Sequence, residues 1–205
     1  MFNDTHRVPS HYLDYVALAL CKAFRCLADM IFRKRHGHRA LVIETVAAIP
    51  GVVSGVFVHL KCLRKAWGDQ GRIQVLQSEA ENERMHFLVF AQIVPLRFPE
   101  KLMIYTAQAG FFTFFFLLYM ISPYTGHRMV GYFEEEAIYS YREYLQAIDD
   151  MQIPNSEAPS LAIEYWSLSS DARLRDVIEA IIQDEIHHRD SNHHFADVPL
   201  SDIIV

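Results

Sequence analysis

Cysteine is scarce: the 205 residues include only Cys21, Cys26 and Cys62, with no C-x-x-C pair among them. An odd count without paired spacing excludes a disulfide scaffold, argues against a thiolate metal site, and suits a reducing compartment. Neither a solenoid-type repeat nor a low-complexity stretch is present. Positive charge is not in excess either. Nineteen Lys and Arg against 25 Asp and Glu leave a formal net charge of −6, which argues against a nucleic-acid partner. The opening MFNDTHRVPSHYLDY has neither the apolar core of a signal peptide nor the acid-poor, Arg- and Ser-rich character of a transit peptide. Such a start is expected of a bacterial protein or of a chain whose presequence has been removed.

Apolar and aromatic residues, by contrast, are plentiful, at 51% and 13% of the chain. A mean hydropathy of +0.05 is high for a soluble globule and low for a set of spanning helices. A protein that holds one face against a bilayer lies between the two. Eleven histidines are a first pointer to metal chemistry. The length fits one domain with a sizeable core, expected as an arm over 1–10, a helical body over 11–195 and a tail over 196–205.

The punctuation predicts an all-α chain of about six helices, with no alternating strand. They are expected over His11–Arg35, Arg39–Trp67 (with a bend at Pro50), Arg72–Arg97 before Pro99, Lys101–Ile121, and Pro123–Asp150. A short turn near Leu161–Trp166 follows. Asp171 is the expected N-cap of a last helix ending near His194. Long helices with short connections predict an antiparallel bundle.

Four of these helices carry carboxylates on apolar faces. In the third, Leu76, Glu79, Glu83, His86, Phe90 and Ile93 recur at three- and four-residue steps. In the last, Leu174, Ile178, Ile181, Glu185, His188 and Asn192 do the same. Glu44 shares a face with Ala48, Gly51 and Gly55, and Glu134 with Ile138, Tyr141, Leu145 and Ile148. Buried acids of this kind are costly unless something compensates them. Taken singly, a Glu-x-x-His or a lone Glu is usually a solvated face, and Glu135 and Glu136 read as solvated too. Together they match the di-metal carboxylate pattern: one Glu from each of two helices, and Glu-x-x-His from each of two more. Oxygen and imidazole donors suit iron or manganese, and four carboxylates balance two ferrous ions. A ferritin-like four-helix bundle with two additional membrane-associated helices is therefore expected.

The blocks IETVAAIPG (43–51), NERMH (82–86), ISP (121–123), HRMVGY (127–132), EEEA (134–137) and DEIHHRDSNHHF (184–195) closely resemble the alternative oxidase family. The resemblance runs from the first helix to near the end. It implies a non-haem di-iron centre, two Fe ions, with Glu44, Glu83, Glu134 and Glu185 as ligands and His86 and His188 in the same motif. It further implies that Asn82 and Asp184 orient those ligands, that Tyr141 is the redox tyrosine, and that Tyr165 is a second tyrosine nearby. For quinol it points to Arg25, Asp29, Arg39, Ile43, Glu136, Ala137 and Ser140. Arg25 and Asp29, four apart, also read as a surface ion pair. Serine stands at 140 where the family usually has threonine, and the hydroxyl is kept.

Leu102–Ile121 is a twenty-residue run without charge, long enough to span a bilayer. The helices on either side must nevertheless meet at one metal site, so a monotopic arrangement is expected, with the first and fourth helices in one leaflet. Tyr12, Val16, Ala19, Leu20, Phe24 and Leu27 would form the apolar side of the first helix, followed by basic Arg33, Lys34, Arg35 and Arg39. The alternative for the fourth helix is a buried core element. By resemblance the active site would face the mitochondrial matrix or bacterial cytoplasm, the chain would form a homodimer, and ubiquinol and O2 would be its substrates. The expected activity is a ubiquinol:oxygen oxidoreductase that makes water without pumping protons. A ferritin-like di-iron hydroxylase or ferroxidase is the rival enzyme, and an inactive membrane-interaction protein the rival of another class.

Overall fold

The computed structural model describes residues 6–32, 35–95 and 98–200. Its elements are α1 (Tyr12–Phe32), α2 (His36–Lys65), α3 (Arg72–Ile93), α4 (Phe98–Ile121), α5 (Pro123–Asp149), α6 (Ser160–Trp166) and α7 (Leu174–Asp197). Among the described residues the fold is all-α, its one non-helical pairing an isolated bridge between Glu157 and Arg173. Helices α2 and α3 form one tight pair and α5 and α7 another. Glycines allow both approaches. A Cβ on Gly51 would lie 2.5 Å from the Leu76 carbonyl oxygen, and one on Gly131 would lie 2.5 Å from the His193 ring. Between the pairs sits a core in which Phe90, Ile138, Ile178 and Ile181 come from the stripes read from the sequence, joined by Leu41 and Val89.

Several boundaries differ from expectation, and each for a local reason. Helix α3 stops at Ile93 because Pro95 follows, leaving Val94 extended at φ −121°. Pro99 does not end a helix; it sits in the first turn of α4, where proline is tolerated. Asp171 is not the cap of α7. The helix begins after Arg173, whose N–H donates to Asp176 Oδ2 at 2.7 Å, while Asp171 accepts from the Ser169 hydroxyl. Helix α2 runs through Pro50 unbroken.

Helices α1 and α4 lie outside the four. The first is tied down at its start by Asp14, which is fully buried and bonded to Arg128 Nε at 2.9 Å and to the Tyr124 hydroxyl. Phe24 packs on Phe111, Phe114 and Phe133, joining α1 to α4 and α5. Elsewhere both helices leave apolar side chains uncovered: Tyr12, Val16, Leu27 and Ile31 on α1, and Leu102, Tyr105, Phe112, Leu117 and Ile121 on α4. The buried-core alternative for α4 therefore fails, since only 11% of its apolar window is buried. Among the described residues, two helices are long and apolar enough to cross a membrane, His36–Lys65 and Glu100–Ile121. The former is half buried and carries Arg39 and Glu44 inside the protein. Of the basic cluster expected after α1, Arg33 and Lys34 lie outside the described residues, as does Arg97.

Candidate metal centre

Each bundle helix delivers its donors from an otherwise apolar stripe, so the donors converge where water is excluded. Two groups of side chains form, Glu44–Glu83–His86–Glu185 and Glu83–Glu134–Glu185–His188, with donor atoms within 4.8 Å of one another in each. Glu83 and Glu185 belong to both groups, so the two sets of donors adjoin. All six residues are buried, the most exposed being Glu134 at 7%.

Nδ1 of His86 lies 3.5, 3.5 and 3.4 Å from oxygens of Glu44, Glu83 and Glu185. Nδ1 of His188 lies 2.9 Å from Glu83 and 3.2 Å from Glu185. Glu44 Oε2, both oxygens of Glu83 and Nδ1 of His86 are buried without a hydrogen bond of acceptable direction. Orphaned lone-pair donors aimed at common points are costly in a protein interior and cheap around cations.

The electrostatics agree. Burial pushes Glu44 and Glu134 well above the usual carboxylate range, with neighbouring carboxylates adding to the push. Burial acts on Glu83 in the same direction, yet the His188 and His86 imidazoles beside it hold it well below. Both histidines are held well above their ordinary value by those carboxylates, against the effect of burial. Protons on Glu44, Glu134 and the two imidazoles offset here the negative charge that divalent cations would offset. Binding such ions would release the protons. The donor set therefore fits two ions of the iron or manganese type.

Around the donors is a ring of orienting contacts. Nε2 of His86 lies 3.1 Å from Asp184 Oδ2, the same oxygen that accepts from Asn82 Nδ2 at 2.9 Å and Trp166 Nε1 at 2.8 Å. The carboxylate thus fixes the imidazole's orientation. Trp166 also stacks on His86 at 5.8 Å; it had no signal in the sequence beyond its place in a short helical turn. Tyr165 is 40% exposed and joins the cluster through Asn82, 2.9 Å away, so it stands outside the metal pocket. Asn192 spans the inner face of α7. It donates to Glu79 at 2.9 and 3.0 Å and accepts from His127 Nδ1 at 3.0 Å, whose Nε2 accepts from Tyr119. Burial lowers His127 to about 4, keeping it neutral, as these bonds require. Burial also raises Glu79 to about 7. The sequence placed Glu79 and Asn192 inward but gave no reason for their pairing.

On one side the donors border a cavity of about 430 Å³ between α1, α2, α4 and α5. Its walls include Leu27, Ile31, Ile43, Ala47, Met103 and Gly110; Glu44, Glu134, Tyr141 and Glu185 lie at its inner end. Tyr141 stacks parallel to Phe90 at 5.9 Å and donates its hydroxyl to Glu44 Oε1. Burial and the Glu44 charge keep its phenol protonated. Arg25, Arg39, Glu136, Ala137 and Ser140 also line this cavity, whereas Asp29 stands behind it. Arg25 is more than half of a surface ion pair. It reaches Glu136 at 2.7 Å and Ser140 at 3.1 Å as well as Asp29 at 2.9 Å, and Asp29 continues to Arg39 at 2.6 Å. Nor are Glu135 and Glu136 solvated: their side chains are 11% and 17% exposed and engage His6, His193 and Arg25.

A family model described as alternative oxidase matches residues 2–197. Among curated relatives, the chain is 50% identical over 192 residues to a mitochondrial ubiquinol oxidase of Batrachochytrium dendrobatidis, covering 94% of this chain and 61% of the relative. It is 48% identical over 193 residues to mitochondrial ubiquinol oxidase 2 of Glycine max, covering 94% and 58%. Against mitochondrial ubiquinol oxidase 1a of Arabidopsis thaliana it is 47% identical, covering 94% and 54%. The chain thus spans somewhat over half the length of the relatives it matches. Six buried donors on four helices, beside an apolar cavity, are the setting in which those likenesses fall, and the chain belongs to the alternative oxidase family.

Proposed function

We propose that this chain oxidises ubiquinol with dioxygen, turning two quinols and one O2 into two quinones and two waters. The observation that carries the reading is the shared wall. Glu44, Glu134, Tyr141 and Glu185 belong both to the donor cluster or its hydrogen bonds and to the inner end of the apolar cavity. An iron pair held by Glu44, Glu83, Glu134 and Glu185 with His86 and His188 would supply the reduction of dioxygen. Everything else falls to the chain. The cavity's aliphatic walls suit a quinol ring and the first part of its tail. Arg25, Glu136 and Ser140 offer a donor and acceptors at one end for the ring's oxygens, and Asp29 holds Arg25 and Arg39 in place. Tyr141, protonated and fixed against Glu44, stands between quinol and metals as the group that passes an electron with its proton. Asp184 and Asn82 hold the His86 ring, and Tyr165 braces Asn82.

The same cavity supports attachment to one leaflet through the uncovered faces of α1 and α4, since Leu27 and Ile31 on one helix and Met103 and Gly110 on the other flank it. A lipid-dissolved quinol would reach it without crossing water. The relatives are named mitochondrial, and we assign this chain to a respiratory membrane of that kind, with the bundle on the matrix or cytoplasmic side and no proton pumping. Exposed Val52, Val56 and Leu63 on α2 leave an apolar face for the expected homodimer.

The test is oxygen uptake by membranes bearing the protein, with ubiquinol added and cyanide present, alongside iron analysis. Cyanide-insensitive uptake with about two irons per chain is expected, lost together in Glu83→Ala and Glu185→Ala. Full activity without metal overturns the metal reading. Oxidation of ferrous iron without quinol turnover identifies a ferroxidase instead.

A further inference from the structure

The residues ahead of α1 are not idle. His6 reaches past the helix and places its ring between two adjacent carboxylates of α5, with Nδ1 2.5 Å from Glu135 Oε2 and Nε2 2.8 Å from Glu136 Oε1. Both ring nitrogens face acceptors, so both carry protons. The other oxygen of Glu136 accepts from Arg25 at 2.7 Å. The carboxylate is therefore gripped from two sides, by the arm and by α1. Its position matters because Glu136 and Arg25 together line two cavities. One is the apolar cavity beside the donors; the other is a polar pocket of about 830 Å³ lined by His6, Arg7, His193 and Asp197. Arg25 and Glu136 are the partition between them. Without His6, one Glu136 oxygen loses its anchor, and the side chain is free to turn toward the polar pocket, drawing the Arg25 guanidinium with it.

We propose that His6 is a positioning residue for quinol binding: it holds Glu136, and through it Arg25, as the polar wall of the apolar cavity. This rests on the quinol reading of that cavity. The arm is thereby part of the substrate site although it belongs to none of the helices that build the metal centre. Arg7 provides an internal comparison. Its guanidinium pairs with Asp197 at 2.8 Å and so helps attach the same arm, but it touches neither Glu136 nor Arg25 among the contacts described.

The experiment uses the iron-loaded chain in detergent, with KM and kcat for a short-tailed ubiquinol and Kd for the matching ubiquinone by calorimetry. His6→Ala is expected to raise KM and Kd about tenfold, the scale of one charge-assisted hydrogen bond. kcat should stay within about twofold and iron content unchanged, the pattern of lost binding rather than lost chemistry. His6→Gln, whose amide N–H can still reach Glu136, should recover most of the affinity, and Arg7→Ala should stay within about twofold of wild type. A His6→Ala protein with wild-type KM and Kd overturns the inference, as does an Arg7→Ala protein weakened equally, which would mean that arm attachment alone matters. A wild-type protein that neither binds ubiquinone nor oxidises ubiquinol refutes the quinol reading itself. Activity in the wild type beside an indifferent His6→Ala refutes only the role of His6.

Discussion

Replacing Tyr141 with phenylalanine removes one oxygen and keeps the ring that stacks on Phe90. That oxygen donates to Glu44 Oε1, and the other Glu44 oxygen already lacks a hydrogen bond. In metal-free protein the variant therefore leaves a fully buried carboxyl without its partner, a loss of about 1–3 kcal/mol. For a chain of this size that lowers Tm by about 2–12 °C. If iron is held by Glu44 as proposed, the cation would satisfy that carboxylate and the shift would shrink, so comparing melts with and without metal isolates the hydrogen bond. Activity is a separate readout. A phenol can give up an electron and a proton together, and a phenyl ring cannot, so quinol oxidation should fall by far more than tenfold, or 1.4 kcal/mol of barrier. Tyr144→Phe is the matched comparison: Tyr144 is also buried and also lines the cavity, but its ring stacks on His36 at 5.4 Å. It should keep most of its activity. If Tyr141→Phe retains more than about half of wild-type oxygen uptake at full iron content, an electron route through this residue is wrong.

Asp184→Asn keeps the side chain's shape but weakens the hold on His86, Asn82 and Trp166; iron affinity in chelator competition should fall about 10–100-fold. Unchanged affinity would mean that the His86 orientation is set by packing alone. Gly51→Ala puts a Cβ 2.5 Å from the Leu76 carbonyl oxygen, so α2 and α3 must separate, and stability should drop by about 1–3 kcal/mol or more in thermal melts. A neutral result would show that the two helices yield freely. The His6 bridge also makes a pH prediction. Bonds to Glu135 and Glu136 raise His6 from 6.5 to about 9, so its stabilisation is complete below about 6.5 and is lost as pH rises through about 9. Glu135, pushed up by burial but drawn down to about 2 by His193 and His6, contributes above 4.5 and loses that contribution as pH falls through about 2. Wild-type stability should thus decline between pH 6.5 and 9 more steeply than that of His6→Ala; parallel curves would refute the bridge.

Residue order was enough to read whatever depends on periodicity within one helix. Donors at positions 83, 86, 185 and 188 each fell on an apolar stripe of one helix, and a carboxylate there is too costly to bury without a counter-charge. The all-α class and the inward placement of these residues were legible for that reason, since each depends on spacing within a single element, whereas the turn expected near Leu161–Trp166 is itself a helix, α6. Boundaries set by chain chemistry were legible only where the punctuation was read in full. Pro95 ended α3, and Asp176 rather than Asp171 completed the start of α7. Contacts between elements distant in sequence emerge only once the helices are packed. No local pattern links Trp166 to Asp184, Asn192 to Glu79, or His6 to Glu136, 130 positions away. Those pairings depend on how helices cross, which glycines 51 and 131 permit and the buried Asp14–Arg128 pair fixes. A helical period places a side chain on a face. Which partner meets that face depends on the packing of the whole bundle.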